Sequence, residues 1–260
     1  MPELLEIDLY RSAAEAVVGR TIERVHAPDA WYCKRGSDPA VLAGVLTGCG
    51  ILSARRHGKL LMLDIDRDDV VLGLRFGMTG RLIVDGAGPI ERLEYSSTRA
   101  ESAWERFGLT FVGGGTLSMM DPRRLGGVEL DPEIDCLGPD AATITPDELR
   151  RALSSRRALK AALLDQARVA GLGNLLVDEA LWRAALDPAR EASSLDGSDR
   201  DVLTISIRAT LAELGARGGS HRGDLHAERH RAGRCPRDGA TLLRRTIGGR
   251  TTYSCPLHQR

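Results

Sequence analysis

The stretch LLDQARVAGLGNLLVDEALWRA, residues 163–184, decides how the chain is read. Apolar residues recur at helical spacing on both sides of the tetrad Gly171-Leu172-Gly173-Asn174, so the stretch reads as helix, tight turn, helix. A turn of this kind aims backbone N–H groups out of a helix N-terminus, where negative charge is favoured, and glycine removes the Cβ that would hold a phosphate backbone away. Gly171, Gly173 and Asn174 are therefore candidate phosphate contacts, with Asn174 adding a side-chain donor.

Upstream, Thr145-Pro146-Asp147-Glu148 has the residues of an N-cap, a first-turn proline and a capping box. Helices are expected at 146–153, 157–166, 174–185 and 198–214, with breaks at Gly171/Gly173, at Asp187-Pro188 and at Gly215. Residues 131–144 read as a linker. From Arg20 to Leu130 the pattern changes to short strands such as TIERVHA, LLMLDID, VVLGLRF, RLIVDG, GLTFV and TLSMM, which suggests a sandwich or barrel. A short helix over 3–18 precedes them. The Gly- and Arg-rich end carries an expected hairpin around TLLRRTIGGRTTYSC.

The chain has 260 residues, 42% hydrophobic and 28% charged, which excludes wholesale disorder, collagen and coiled coil and suits more than one domain. No apolar run reaches the roughly 20 residues of a membrane span. The start MPELLEIDLYR carries acids where a signal peptide carries bases, so a soluble, cytoplasmic protein is expected. Five cysteines, an odd count, argue against a disulfide framework. The zero net charge hides a division: residues 215–260 hold ten arginines against three acids, and the remainder is acidic to the same extent. A basic end on an acidic body points to a polyanion. Only Lys34, Lys59 and Lys160 among 36 basic residues are lysine, the residue whose compact ammonium can act near a reaction centre.

Two constellations carry chemistry of their own. Removal of Met1 leaves Pro2 with a secondary amine, able to attack a carbonyl carbon or a sugar C1′, and Glu3 beside it can shuttle a proton. Cys235-Pro-Arg-Asp238 and Cys255-Pro-Leu-His258 are ligand pairs at zinc-ribbon spacing. One structural Zn2+ is expected, held by His230, Cys235, Cys255 and His258, with Asp238 the competing fourth ligand; a metal-free finger is the other alternative. His230 is preferred because zinc favours nitrogen and sulfur.

These pieces, in this order, resemble the formamidopyrimidine-DNA glycosylase/endonuclease VIII family of base-excision repair. MPELLE, RRHGKLLML, LRFGMTGRL, MDPRRLGG, the 22-residue stretch above and GGRTTYSCPLHQ are each similar to a family motif, and the similarity spans the chain. The resemblance implies an α+β, multidomain fold. An N-terminal helix and β-sandwich occupy 1–130, a linker 131–144, a helix–two-turn–helix domain 145–219, and a zinc-finger-like hairpin 220–260. It implies that Pro2 is the nucleophile, that Glu3 assists opening of the deoxyribose, that Lys59 contacts phosphate at the active site, and that Glu6 is a further active-site acid. Met78 and Arg123 fill the gap left by a flipped nucleotide, and Asn174 and Arg250 hold phosphates.

The departures point to an outlying, endonuclease VIII-like branch. Leu5 stands for a family proline, Leu125 for an aromatic wedge, and Ser220–Arg231 is short where guanine-lesion enzymes have a longer closing loop. Asp238 and His258 stand for two cysteines. The implied activity is a bifunctional glycosylase and abasic-site lyase that removes oxidised bases, pyrimidines favoured over 8-oxoguanine, from damaged double-stranded DNA, with single-stranded or bubble DNA as alternatives. A monomer in the cytoplasm, associated with the nucleoid when acting, is expected. The competing reading is a non-catalytic binder of damaged or abasic DNA with the same fold.

Overall fold

The computed structural model describes residues 2–90 and 101–260. They form two compact units, one of Pro2 and Glu6–Ile134, the other of Glu3–Leu5 and Asp135–Arg260. Met1, whose removal is expected, lies outside the described residues.

Helix α1 (Leu4–Ala14) belongs to the first unit from Glu6 onward, and a short 3-10 turn carries it on to Val17. Two antiparallel four-stranded sheets follow. One has the order β1 (Ile22–His26), β6 (Glu105–Phe111), β7 (Thr116–Met120), β5 (Arg81–Val84). The other has β2 (Ile51–His57), β3 (Leu60–Ile65), β4 (Val71–Arg75), β8 (Gly127–Leu130). Ile22, Phe107 and Leu117 from one sheet and Leu61, Leu72 and Val128 from the other share a single buried cluster with Ile7 and Tyr10 of α1. That is a sandwich, and its aliphatic core follows from the scarcity of aromatics.

Three elements escape the sequence pattern. Helix α2 (Pro39–Leu46) is apolar almost throughout and shows no stripe, although Asp38 caps it and Pro39 opens it. Strand β2 carries Arg55, Arg56 and His57 and is mostly half-buried beyond Ile51, without an alternating pattern. Strand β8 is short and hides the charged Glu129, which Arg75 and Arg35 neutralise.

In the second unit α3 (Pro146–Ala152) has the expected capping box of Thr145 and Glu148. Then come α4 (Leu159–Leu164), α5 (Asn174–Arg183) and α6 (Gly197–Ala216), the last capped reciprocally by Asp196 and Asp199. Their core includes Leu149, Leu163, Leu176, Leu181, Leu203 and Ile207, joined by Leu4 and Leu5. Strands β9 (Leu243–Ile247) and β10 (Arg250–Ser254) make the C-terminal hairpin, closed by Gly248-Gly249 with both residues at positive φ, the requirement of a type I′ turn. A small cluster of Trp182, Leu225, Cys235, Leu242, Tyr253 and Cys255 underlies it. The basic excess of this end is partly internal. Arg217 pairs with Asp224, Arg245 with Asp187, and Arg229 with the buried Asp178.

Candidate functional site

In the first unit the expected residues stand on loops braced by α1. Lys59 is half-buried in the two-residue turn between β2 and β3, where Gly58 takes φ +56°. Arg56 donates to the Gly58 carbonyl at 3.1 Å and lies 3.7 Å from Asp8 of α1, which ties the turn to the helix. Pro2 is buried and Glu6, on α1, is 3% exposed. Burial, and then the Glu6 carboxylate, push the Tyr10 phenol above its ordinary range, so it stays a donor; it bonds the Gly80 carbonyl at 3.2 Å. That bond holds the 76–80 turn, which carries the half-buried Met78.

Asp121 joins this turn to the next loop. Fully buried, its carboxylate accepts from the Thr79 hydroxyl at 2.5 Å, from the Arg123 N–H at 3.2 Å and from the Gly126 N–H at 2.8 Å. The two loops touch: a Cβ at Gly77 would lie 2.5 Å from the Leu125 carbonyl group. Arg123 and Leu125 are exposed, Leu125 by 48%, while Arg124 between them takes φ +55° and grips Asp29 through two bonds of 2.5 Å. Met78, Arg123 and Leu125 therefore belong to one rigid ridge. Sequence reasoning missed Asp121, Thr79 and Asp29. An Asp-Pro step at a strand end was the available signal for the first.

In the second unit the turn at 171–174 is built differently from its expected use. Glu3, 1% exposed, accepts from the N–H groups of Gly173 (2.9 Å), Leu175 (2.9 Å) and Leu176 (3.1 Å). The Gly171 N–H donates to Gln166 at 3.0 Å. The expectation that Gly171 and Gly173 offer these N–H groups to phosphate is corrected: a carboxylate of the chain itself occupies the helix N-terminus, whose positive end suits it. Glycine is needed at 173 because Glu3 fills the space of a Cβ, and at 171 because Leu4 does. Asn174 is half-buried and donates from Nδ2 to the Thr251 carbonyl at 3.2 Å. Arg250 is exposed beside the hairpin turn, and Thr252 Oγ1 bonds its carbonyl.

Lys160 is fully buried on α4. Burial lowers its pKa against the pull of Asp178, 2.6 Å away, and Arg229 takes the other oxygen of that carboxylate. This lysine is a structural cation. Glu179, next in sequence to Asp178, accepts the Asp224 and Leu225 N–H groups and pairs with Arg183, which also holds Glu213 and Asp224. The segment after Ser220 is thereby fastened to α5.

Ligand atoms of Cys235, Asp238, Cys255 and His258 lie within 4.8 Å of one another. His230 is the correction here: its side chain is 58% exposed and its ring nitrogen is 3.8 Å from Glu228, so Asp238 stands where His230 was expected. The donor set fits a divalent cation. The Arg237 and Leu257 N–H groups each point at a cysteine sulfur at 3.4 Å, the Trp182 indole N–H points at Cys235 at 3.3 Å, and His258 turns Nδ1 to Asp238 at 2.7 Å. N–H donors to sulfur stabilise thiolates, the ligand form. Without a cation, burial pushes the Cys255 thiol up to about 11.

Residues 1–128 match the formamidopyrimidine-DNA glycosylase N-terminal domain, and residues 137–222 match the formamidopyrimidine-DNA glycosylase H2TH domain. The chain is 33% identical to a formamidopyrimidine-DNA glycosylase of Geobacillus kaustophilus and 35% identical to one of Paracoccus denitrificans, each match covering 100% of both chains. Among solved structures, a complex of Lactococcus lactis Fpg with an abasic-site DNA superposes with a TM-score of 0.83 at 26% identity, over 100% of both chains. A complex of the same protein with a Fapy-dG DNA gives 0.83 at 27%, over 99% of this chain and 100% of that one.

Proposed function

The chain belongs to the formamidopyrimidine-DNA glycosylase family, and from that membership together with the placement of its residues we propose that it is a bifunctional base-excision glycosylase and abasic-site lyase acting on damaged duplex DNA. One observation carries the reading. The chain places Pro2, whose nitrogen becomes a secondary amine once Met1 is removed, directly before a carboxylate that three N–H donors hold in place.

The Pro2 nitrogen attacks C1′ of the flipped nucleotide, the C1′–base bond breaks, and the base leaves with a proton. The nitrogen lone pair then breaks the C1′–O4′ bond, O4′ taking a proton as the sugar ring opens, and the resulting iminium acidifies the C2′ proton. Its loss expels the 3′ phosphate, a second elimination expels the 5′ phosphate, and water then frees Pro2. Glu3 serves ring opening. Lys59, Asn174 and Arg250 take phosphates, and Met78, Arg123 and Leu125 fill the vacated stack, an apolar wedge offsetting part of the unstacking cost.

Oxidised pyrimidines are the favoured lesions over 8-oxoguanine. Leu125 in place of an aromatic supports this, as does the short segment after Ser220, which Glu179, Arg183 and Asp178 hold down. Cys235, Asp238, Cys255 and His258 would hold one structural Zn2+, which would organise the hairpin. Among the described residues no helix is long and apolar enough to cross a membrane. We place the protein in the cytoplasm, as a monomer, at the nucleoid.

Borohydride trapping on an abasic duplex tests the chemistry. An adduct formed by the wild type and absent from Pro2→Gly is expected. A wild type lacking Met1 that binds abasic DNA and traps nothing is instead a non-catalytic damage binder. Excision of thymine glycol faster than 8-oxoguanine is the expected lesion order.

A further inference from the structure

Trp31 exposes 68% of its surface, more than any other large apolar side chain among the described residues. A built turn puts it there. Asp29 caps the Trp31 N–H at 3.2 Å, the Tyr32 N–H returns to the Asp29 carbonyl at 2.9 Å, and Tyr32 is fully buried, so the turn drives one aromatic inward and the next outward. Lys34 completes the surface. Its Nζ donates to the Trp31 carbonyl at 2.5 Å and stands 4.7 Å from the centre of the indole.

This turn is one piece with the ridge of Arg123 and Leu125. The carboxylate that caps Trp31 also grips Arg124. The Lys34 N–H donates to the Val128 carbonyl at 2.8 Å, and the Lys34 stem lies so close to Gly127 that a Cβ there would come within 2.6 Å of it. An open π-face, an ammonium and the exposed Arg123 thus adjoin an apolar wedge that cannot stack. A base offers a π-face and its phosphate an anion, the two chemistries this surface matches.

We propose that Trp31 and Lys34 form a second DNA contact beside the wedge, the indole stacking on an unpaired or end-exposed base and Lys34 meeting the neighbouring phosphate. The assignment rests on the duplex-DNA reading above and adds to it the aromatic that Leu125 lacks. Trp31 acts in binding and sets how firmly the opened site is held.

The test is equilibrium binding of full-length wild type, Trp31→Ala, Trp31→Phe and Lys34→Ala to an abasic-analogue duplex across a salt series, with intrinsic fluorescence recorded alongside. Trp31→Ala is expected to weaken binding roughly 5- to 150-fold at unchanged melting temperature, and Trp31→Phe to recover most of the loss. Lys34→Ala should lower the salt slope by about one. Duplex should quench indole emission in the wild type and less in Trp31→Ala. Unchanged affinity and quenching in Trp31→Ala overturn the proposal and leave the glycosylase reading standing. Concentration-dependent dimers of the wild type that Trp31→Ala dissolves, with DNA affinity intact, overturn it in favour of self-association. A wild type that binds no abasic duplex overturns both readings.

Discussion

Asp121 and Asp29 do the quietest work at the scale of single residues. Each acts through its neighbours: one carboxylate sets two loops and the other anchors a left-handed arginine. Asp121→Ala removes the acceptor of three bonds in a buried place, and a stability loss of about 1–3 kcal/mol is expected by denaturant titration. Asp29 carries a pH signature. The bond from Arg124, with Arg106 3.8 Å away, holds its carboxyl below the ordinary 3.8. A carboxyl with a lowered folded pKa stabilises the fold above its unfolded value and loses that contribution as pH falls through the lowered one. The stability difference between wild type and Asp29→Asn should therefore be flat above about pH 5 and shrink below pH 4, measured as urea midpoints. A difference constant from pH 6 to pH 3 would contradict the ion pair. At this scale the sequence was legible where side chains that can hold a metal come together, as with Cys235, Cys255 and His258. It was opaque where a residue serves another's backbone. Nothing in a string of letters tells that Glu3 ends against Leu176, or that His230 turns to Glu228 while Asp238 joins the cysteines.

Helix α5 is the element on which most of the second unit depends. Its start meets Glu3, its middle holds the buried acids Asp178 and Glu179, and its last turn sends Trp182 to Cys235. Lys160→Met leaves the buried Asp178 with Arg229 as its one ion-pair partner beside the Tyr253 N–H, and a loss of about 3–5 kcal/mol in thermal or denaturant unfolding is expected. A variant as stable as wild type would show that Arg229 suffices. Amphipathic helices with caps, such as α3 and α6, could be read from the letters because the cap and the stripe are both local signals. Helix α2 and strand β2 could not. One is apolar on all sides and the other is stabilised by pairing with β3 rather than by its own pattern.

For the molecule as a whole, the neutral net charge says little, because the basic C-terminal portion divides its arginines between internal pairs and surface. Arg250 and Arg123 are exposed, so affinity for duplex should fall steeply with salt, and a flat dependence would contradict phosphate binding. Metal analysis should find about one zinc per chain, lost in His258→Ala and kept in His230→Ala; loss in the latter would restore His230 as a ligand. The α+β, multidomain build was readable in outline, since composition and motif order change along the chain. The exchange at the beginning was not: Glu3–Leu5 belong to the second unit although residues 6–134 form the first. That exchange has a consequence in time. Glu3 and Gly173 are 170 positions apart, so at about 5–20 residues per second the ribosome releases them roughly 10–30 s apart. The sandwich can condense in that interval while its leading tripeptide waits in water. The later half then needs a segment synthesised long before it. A fragment of residues 135–260 made alone should be left with an uncapped α5 and a gap where Leu4 and Leu5 belong, and a short peptide supplied in trans should protect it from proteolysis.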